Sequence, residues 1–161
     1  SIDEVDILTP KEKEILKEIH EMGFLIGNHT YSHKSLPTLS EEEQREEIIR
    51  VSDMVEGVTG ERPLFFRAPF GANTDYTSQI ARDEGITLMN WSYGYDWEKE
   101  YMSQEAITDI MINTELLRSG ANLLMHDREW TALGLHDIVT GLRNKGYEMV
   151  DPKLIKTVEL D

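Results

Sequence analysis

At 161 residues, with 39% hydrophobic and 29% charged side chains, the chain has the composition of one globular domain and the length to bury a single core. A formal net charge of −15, from 31 Asp and Glu against 16 Lys and Arg, excludes the clustered basic surface that a phosphate backbone needs, so no nucleic-acid partner is expected. Cysteine is absent, which excludes disulfides and thiolate metal sites and leaves any metal to His and carboxylate ligands. No apolar run approaches the roughly 18 residues of a membrane span. The chain opens on Ser1 and acidic residues, not on a basic segment followed by an apolar one, so no signal peptide is expected within it.

Helix and strand signals alternate along the chain. Thr9-Pro10-Lys11-Glu12 reads as a helix start: hydroxyl cap, proline at the first helical position and a Glu completing a capping box. Ile15, Leu16, Ile19 and Met22 give a helical stripe that Gly23 stops, and Phe24-Leu25-Ile26-Gly27 follows as a buried strand. Ser40 and Glu43 form a second capping box, after which Ile48, Val51, Val55 and Val58 line one face as far as Gly60. The strand Leu64–Arg67, a helix near Tyr76–Glu84 and the strand Ile86–Trp91 come next. A helix over Gln104–Leu117 precedes the strand Ala121–His126. The last helix carries Leu135, Ile138, Val139 and Leu142, closes near Gly146 and leads into a strand over Tyr147–Val150. No strand alternates with polar residues, so each is expected to be buried on both faces. Buried strands alternating with amphipathic helices predict an α/β fold with a parallel sheet. About five strands are too few for a closed barrel of eight, so the sheet is either open or part of a domain.

The chemistry-bearing residues share one position, the C-terminal ends of successive strands. Asn28-His29-Thr30-Tyr31-Ser32-His33 follows one strand and Arg67-Ala68-Pro69-Phe70-Gly71 the next. Tyr93-Gly94-Tyr95-Asp96-Trp97 follows the third, and Leu124-Met125-His126-Asp127 ends the fourth. In parallel α/β folds that edge carries the active site. His29 and His33 meet one metal if the segment makes a helical turn. The plainer alternative is loop hydrogen bonding by Asn28, Thr30 and Ser32, and the two readings are compatible. Arg67 either forms a buried ion pair at the rim or holds a catalytic carboxylate in one orientation. Pro69 and Gly71 shape a turn whose N–H groups can face a developing oxyanion. His126 is either a satisfied core histidine or a catalyst, and a metal pair on the same edge favours the catalyst. Side-chain alternation turns Asp127 away from His126, as a loop or cap residue. His20 and His136 lie within amphipathic helices and read as surface residues.

Taken together, these four motifs resemble, in order and approximate spacing, those of the polysaccharide deacetylases of the NodB-homology class (carbohydrate esterase family 4). The likeness runs from about Thr9 to Pro152. It implies a distorted (β/α) barrel, here incomplete and lacking its N-terminal strands, over a single domain spanning residues 1–161. It implies removal of N-acetyl or O-acetyl groups from an acetylated polysaccharide such as peptidoglycan, chitin or xylan, outside the cell or in the cell envelope. By position, His29 and His33 would be ligands to a divalent metal, zinc first among them, and Arg67 would orient the catalytic base. The N–H of Phe70, in the turn of Pro69 and Gly71, would help form an oxyanion hole. Trp97 and Leu124 would wall the acetyl pocket, and His126 would be the general acid.

Two departures from the family pattern stand out. The Thr-Phe-Asp-Asp-Gly motif, which would supply the base and third metal ligand, is absent, and no Asp-Asp pair occurs anywhere. Asp3 and Asp6 have the wrong context. The missing motif is expected upstream of Ser1, which would make this chain the C-terminal part of its domain, poor at binding metal and at catalysis alone. Exposed strand edges would then carry a risk of self-association, with the oligomeric state left open. The second departure is that Tyr93 stands where the family often has the Asp that pairs with the catalytic His, leaving the partnership of His126 with Asp96 open. Two other readings remain at this point: a non-catalytic carbohydrate-binding relative, and a metal-dependent hydrolase of small amides.

Overall fold

The structure is a computed structural model and describes residues 8–158. Asp3 and Asp6 lie outside the described residues. The chain divides into two compact units, residues 8–89 with 152–158, and residues 90–151.

The first unit begins with α1 (Pro10–Glu21), whose capping box joins Thr9 and Glu12 as the sequence predicts. Its apolar stripe is not covered, however: α1 has no buried residue, and Ile15 and Ile19 are exposed. Helix α2 (Glu41–Thr59) starts at the Ser40–Glu43 capping box and stops at Gly60, which takes φ 81°. It buries Ile48, Val51 and Val55. The ladder is parallel, as expected, but short. Strand β1 (Phe65–Phe66) pairs with β2 (Thr87–Leu88), and Asn28 bridges to Phe66 on the other side. Helix α3 (Asp75–Asp83) connects β1 to β2. Leu36, Ile48, Phe66, Ile80 and Ile86 close the core of this unit, each contributing about 1.5–3 kcal/mol by leaving water. Arg62 ties α2 to the end of α3 through Asp53, Glu56 and Glu84.

Helices α4 (Gln104–Asn113) and α5 (Glu129–Asn144) make up most of the second unit. Tyr93 and Leu123 form its parallel bridge, flanked by bonds from Ser92 N–H to the Asn122 carbonyl and from Leu124 N–H to the Tyr93 carbonyl. Tyr93, Ile107, Met111, Ile138 and Leu142 form its core. Helix α4 ends four residues before the predicted Leu117, because Thr114 turns extended at φ −66°, ψ 145° and its hydroxyl accepts from Leu116 N–H.

Several strand expectations need correction. The segment 24–27 is extended but makes only the Asn28 bridge, 121–126 only the Leu123 bridge, and 147–150 pairs with nothing among the described residues. Burial on both faces also fails, since Phe24 and Leu64 are exposed at 58% and 48%. An apolar run records what a strand is able to bury, not whether a neighbour covers it. No helix among the described residues is long and apolar enough to cross a membrane.

Two glycines set the contact of α5 with α4. A Cβ at Gly134 would lie 2.8 Å from Thr108 Oγ1 and 3.3 Å from the Gln104 carbonyl oxygen, whereas one at Gly141 would meet only Ile112, a flexible side chain. Gly134→Val is therefore expected to lower stability by about 1–3 kcal/mol through overpacking. Gly141→Ala should cost less, a ranking to be read from the two urea-unfolding midpoints.

Candidate active site

In the first unit, His29 and Arg67 leave the C-terminal ends of neighbouring parallel segments, and the backbone clasps them together. Arg67 N–H donates to the Asn28 carbonyl at 3.0 Å, and the Arg67 carbonyl accepts from His29 Nδ1 at 2.6 Å. A carbonyl only accepts, so that bond puts the His29 proton on Nδ1 and the ring lone pair on Nε2. The rings of His29 and His33 meet edge to face, with centroids 4.9 Å apart. The expected helical turn is not what unites them. The segment is a loop in which Thr30 and His33 take φ 68° and 55°, left-handed values that cost a non-glycine residue about 1–3 kcal/mol each.

Helix α2 holds this loop in place. The Asn28 side chain donates from Nδ2 to the Ile48 carbonyl and Ser52 Oγ at 2.7 and 2.9 Å, and its Oδ1 accepts from Thr30 N–H. The Glu47 carboxylate accepts from the N–H and hydroxyl of Ser32 at 2.7 and 2.6 Å. The Arg50 guanidinium lies 4.0 Å over the Tyr31 ring, a cation–π contact. The loop-bonding reading of Asn28 and Ser32 is thus realised alongside the histidine pair. Glu47 and Ser52 were legible only as polar positions on the stripe that buries Ile48, Val51 and Val55.

Arg67 itself is not in an ion pair among the described residues, which corrects the first reading of it. Its Nε is buried and has no hydrogen-bond partner among those residues, and loss of water lowers its pKa. Beyond it, Pro69 is buried while Phe70 and Gly71 take φ 59° and 67°, two successive left-handed residues that reverse the chain tightly. The bonds closing this turn come from Gly71 and Ala72 N–H. Neither uses the N–H of Phe70, whose exposed ring packs edge-on against His33 at 5.0 Å.

In the second unit the site is built around a carboxylate with no exposed surface. Asp96 holds His126 Nδ1 on Oδ1 at 2.7 Å, and its Oδ2 accepts from His126 N–H and from the Thr131 hydroxyl. The Asp96 carbonyl accepts from Trp130 Nε1 at 2.9 Å. His126 is not a core residue, since its side chain is 40% exposed. The open question of its partner is answered: Asp96 pairs with it, and Tyr93 is a core residue whose hydroxyl donates to the Met111 carbonyl. Burial, with Tyr95 and Tyr147 nearby, pushes the Tyr93 phenol up to about 12. Trp97 meets the His126 ring edge to face at 5.5 Å, and Leu124 is buried beside it in the chain. Asp127 and His136 are exposed, and His20 stands 4.0 Å from Glu61.

The chemistry of the His29–His33 donors fits a divalent metal, because a ligating imidazole commonly gives its other N–H to a carbonyl or carboxylate. The set is incomplete, as no cluster of three His, Cys, Asp or Glu suited to a metal occurs among the described residues.

The polysaccharide deacetylase family matches residues 5–89 of the chain. The chain belongs to this family. A peptidoglycan-N-acetylglucosamine deacetylase of Bacillus cereus is 29% identical over 154 residues, covering 91% of this chain and 54% of that protein. The chain thus spans about half the length of this curated relative. Among solved structures, a family 4 carbohydrate esterase of Streptomyces lividans in complex with acetate superposes with a TM-score of 0.77 at 25% identity, covering 94% of this chain and 78% of the other. A family 4 pseudoenzyme of Bacillus anthracis superposes with a TM-score of 0.78 at 26% identity, covering 86% and 48%. The fold is therefore the α/β fold of the polysaccharide deacetylases, as the motifs predicted.

One residue of the second unit's candidate site was missed in the sequence. A Cβ at Gly94 would lie 2.3 Å from the Leu124 carbonyl oxygen and 2.9 Å from the Trp97 ring. Glycine lets these two close on each other. Gly94→Ala should displace Trp97 or the Leu124 backbone and destabilise the chain by about 1–3 kcal/mol, visible as a changed tryptophan emission and a lower Tm.

Proposed function

We propose that this chain carries most of the catalytic apparatus of a metal-dependent hydrolase that removes N-acetyl groups from a cell-wall polysaccharide, with peptidoglycan the first candidate polymer. The reaction adds water across an acetamide and yields acetate and an amine. The observation that carries this reading is the His126–Asp96 pair, a half-exposed imidazole anchored through Nδ1 to a fully buried carboxylate.

His126 is the general acid. With Nδ1 held by Asp96, its Nε2 is the atom that delivers a proton to the departing amine nitrogen. Such help is typically worth roughly 10²–10⁴ in rate. Trp97 and Leu124 exclude water from the acetyl methyl, and Phe70 N–H donates to the oxyanion. His29 and His33 would hold a divalent metal, zinc by its affinity for imidazole and carboxylate, which when bound activates water and polarises the acetyl carbonyl. Arg67 orients the catalytic base. That base and the third ligand are assigned to carboxylates outside the described residues, and Arg67, whose Nε is buried without a hydrogen-bond partner among those residues, is the group that would receive one of them. Work on a cell-wall polymer places the protein in the cell envelope.

One observation favours a second reading, a carbohydrate-binding relative without turnover. A family 4 pseudoenzyme shares the fold.

Acetate release from acetylated chitooligosaccharides by the metal-loaded full-length protein separates the two. Turnover that falls at least about a hundredfold in His126→Ala and in Asp96→Asn supports the enzyme, while oligosaccharide binding with no acetate release supports the binding relative. Zinc titration of the protein and of His29→Ala tests the metal assignment. Equal zinc affinity in both would refute it.

A further inference from the structure

The Asp96 carboxylate is more fully engaged than pairing with one histidine requires. Oδ1 is used by His126 Nδ1, and Oδ2 by both the His126 backbone N–H and the Thr131 hydroxyl at 2.9 Å. The residue has 0% exposed surface and Thr131 only 5%, so neither oxygen exchanges its protein partner for water. Thr131 lies in the first turn of α5. At this third helical position no carbonyl of the helix lies four residues earlier to take its hydroxyl, which donates instead to a carboxylate of another segment. Its neighbour Trp130 donates from Nε1 to the Asp96 carbonyl, so consecutive residues of α5 hold the side chain and the backbone of Asp96.

We propose that Thr131 is a positioning residue for the proton-transfer step, acting through Asp96 on His126. With the hydroxyl in place three donors fix the plane of the carboxylate, so Oδ1 stays on the Nδ1–H, the imidazole keeps its plane and Nε2 keeps its direction. Without the hydroxyl, Oδ2 retains only the His126 N–H, in a place where no water replaces the lost donor. The inference rests on the reading of His126 as general acid, but the positioning itself is measurable without turnover.

The test compares Thr131→Val, which keeps shape and removes the donor, with Thr131→Ser, which keeps the donor. Proton NMR of the His126 Nδ1–H, well below the Tm of each variant, reports through its exchange with water how firmly Asp96 holds it, and acetate release from acetylated chitooligosaccharides by the metal-loaded full-length protein reports kcat and KM. Thr131→Val is expected to speed that exchange and to lower kcat, each on the order of tenfold, with KM unchanged, and Thr131→Ser to restore both. Thr131→Ala gives the same readouts should valine disturb the packing of α5. Unaltered exchange in Thr131→Val and Thr131→Ala, or a serine variant as impaired as valine, overturns the proposal, since a purely structural role would move the Tm and leave the exchange alone. Faster exchange in Thr131→Val in a full-length protein that binds metal and releases no acetate upholds the positioning and refutes the catalytic reading instead.

Discussion

Asn28 is the residue on which the first unit's functional loop depends. Its N–H donates to the Phe65 carbonyl and its carbonyl accepts from Arg67 N–H, both on the neighbouring strand, while its buried side chain engages Ile48, Ser52 and Thr30. One residue therefore registers a strand end against its neighbour, against the helix behind it and against the loop that follows. The left-handed turns at Thr30 and His33 persist because of that anchoring. Strained φ values at β-branched or bulky residues survive only where surrounding bonds over-determine them.

The second unit solves the same problem with different residues. Thr131 on α5 does for Asp96 what Glu47 and Ser52 on α2 do for the loop after Asn28. In both units a polar side chain stands on the buried, mainly apolar face of an amphipathic helix and reaches the loop that follows a strand segment. Each costs its helix some apolar burial and returns a loop that presents an imidazole in a fixed orientation.

This arrangement explains what the sequence could and could not disclose. Helix starts were legible because a capping box is local, as at Thr9–Glu12 and Ser40–Glu43. So was the placement of His29, Arg67 and His126 after strand segments, since it follows from order along the chain. The pairing of Asp96 with His126 was not, because Tyr93 and Asp96 lie close in sequence and only their opposite fates in the fold, core against site, distinguish them. Nor was the loop geometry of the histidine pair, since nothing in the types Thr and His announces a positive φ. Strand lengths failed for a related reason: a ladder needs a neighbour, and Phe24 or Leu64 carries no record of one.

The two anchored imidazoles differ in the oxygen that holds them. His29 gives its Nδ1–H to a neutral backbone carbonyl, and His126 gives its own to a carboxylate. A carbonyl fixes the ring while adding no charge, which suits a donor whose lone pair must stay available to a cation. A carboxylate holds the ring just as firmly while the far nitrogen gains or loses a proton, because its own charge balances the change. On the proposed reading, the same side chain, caught by the same atom, would serve as an electron-pair donor in one unit and a proton carrier in the other through the nature of the oxygen behind it.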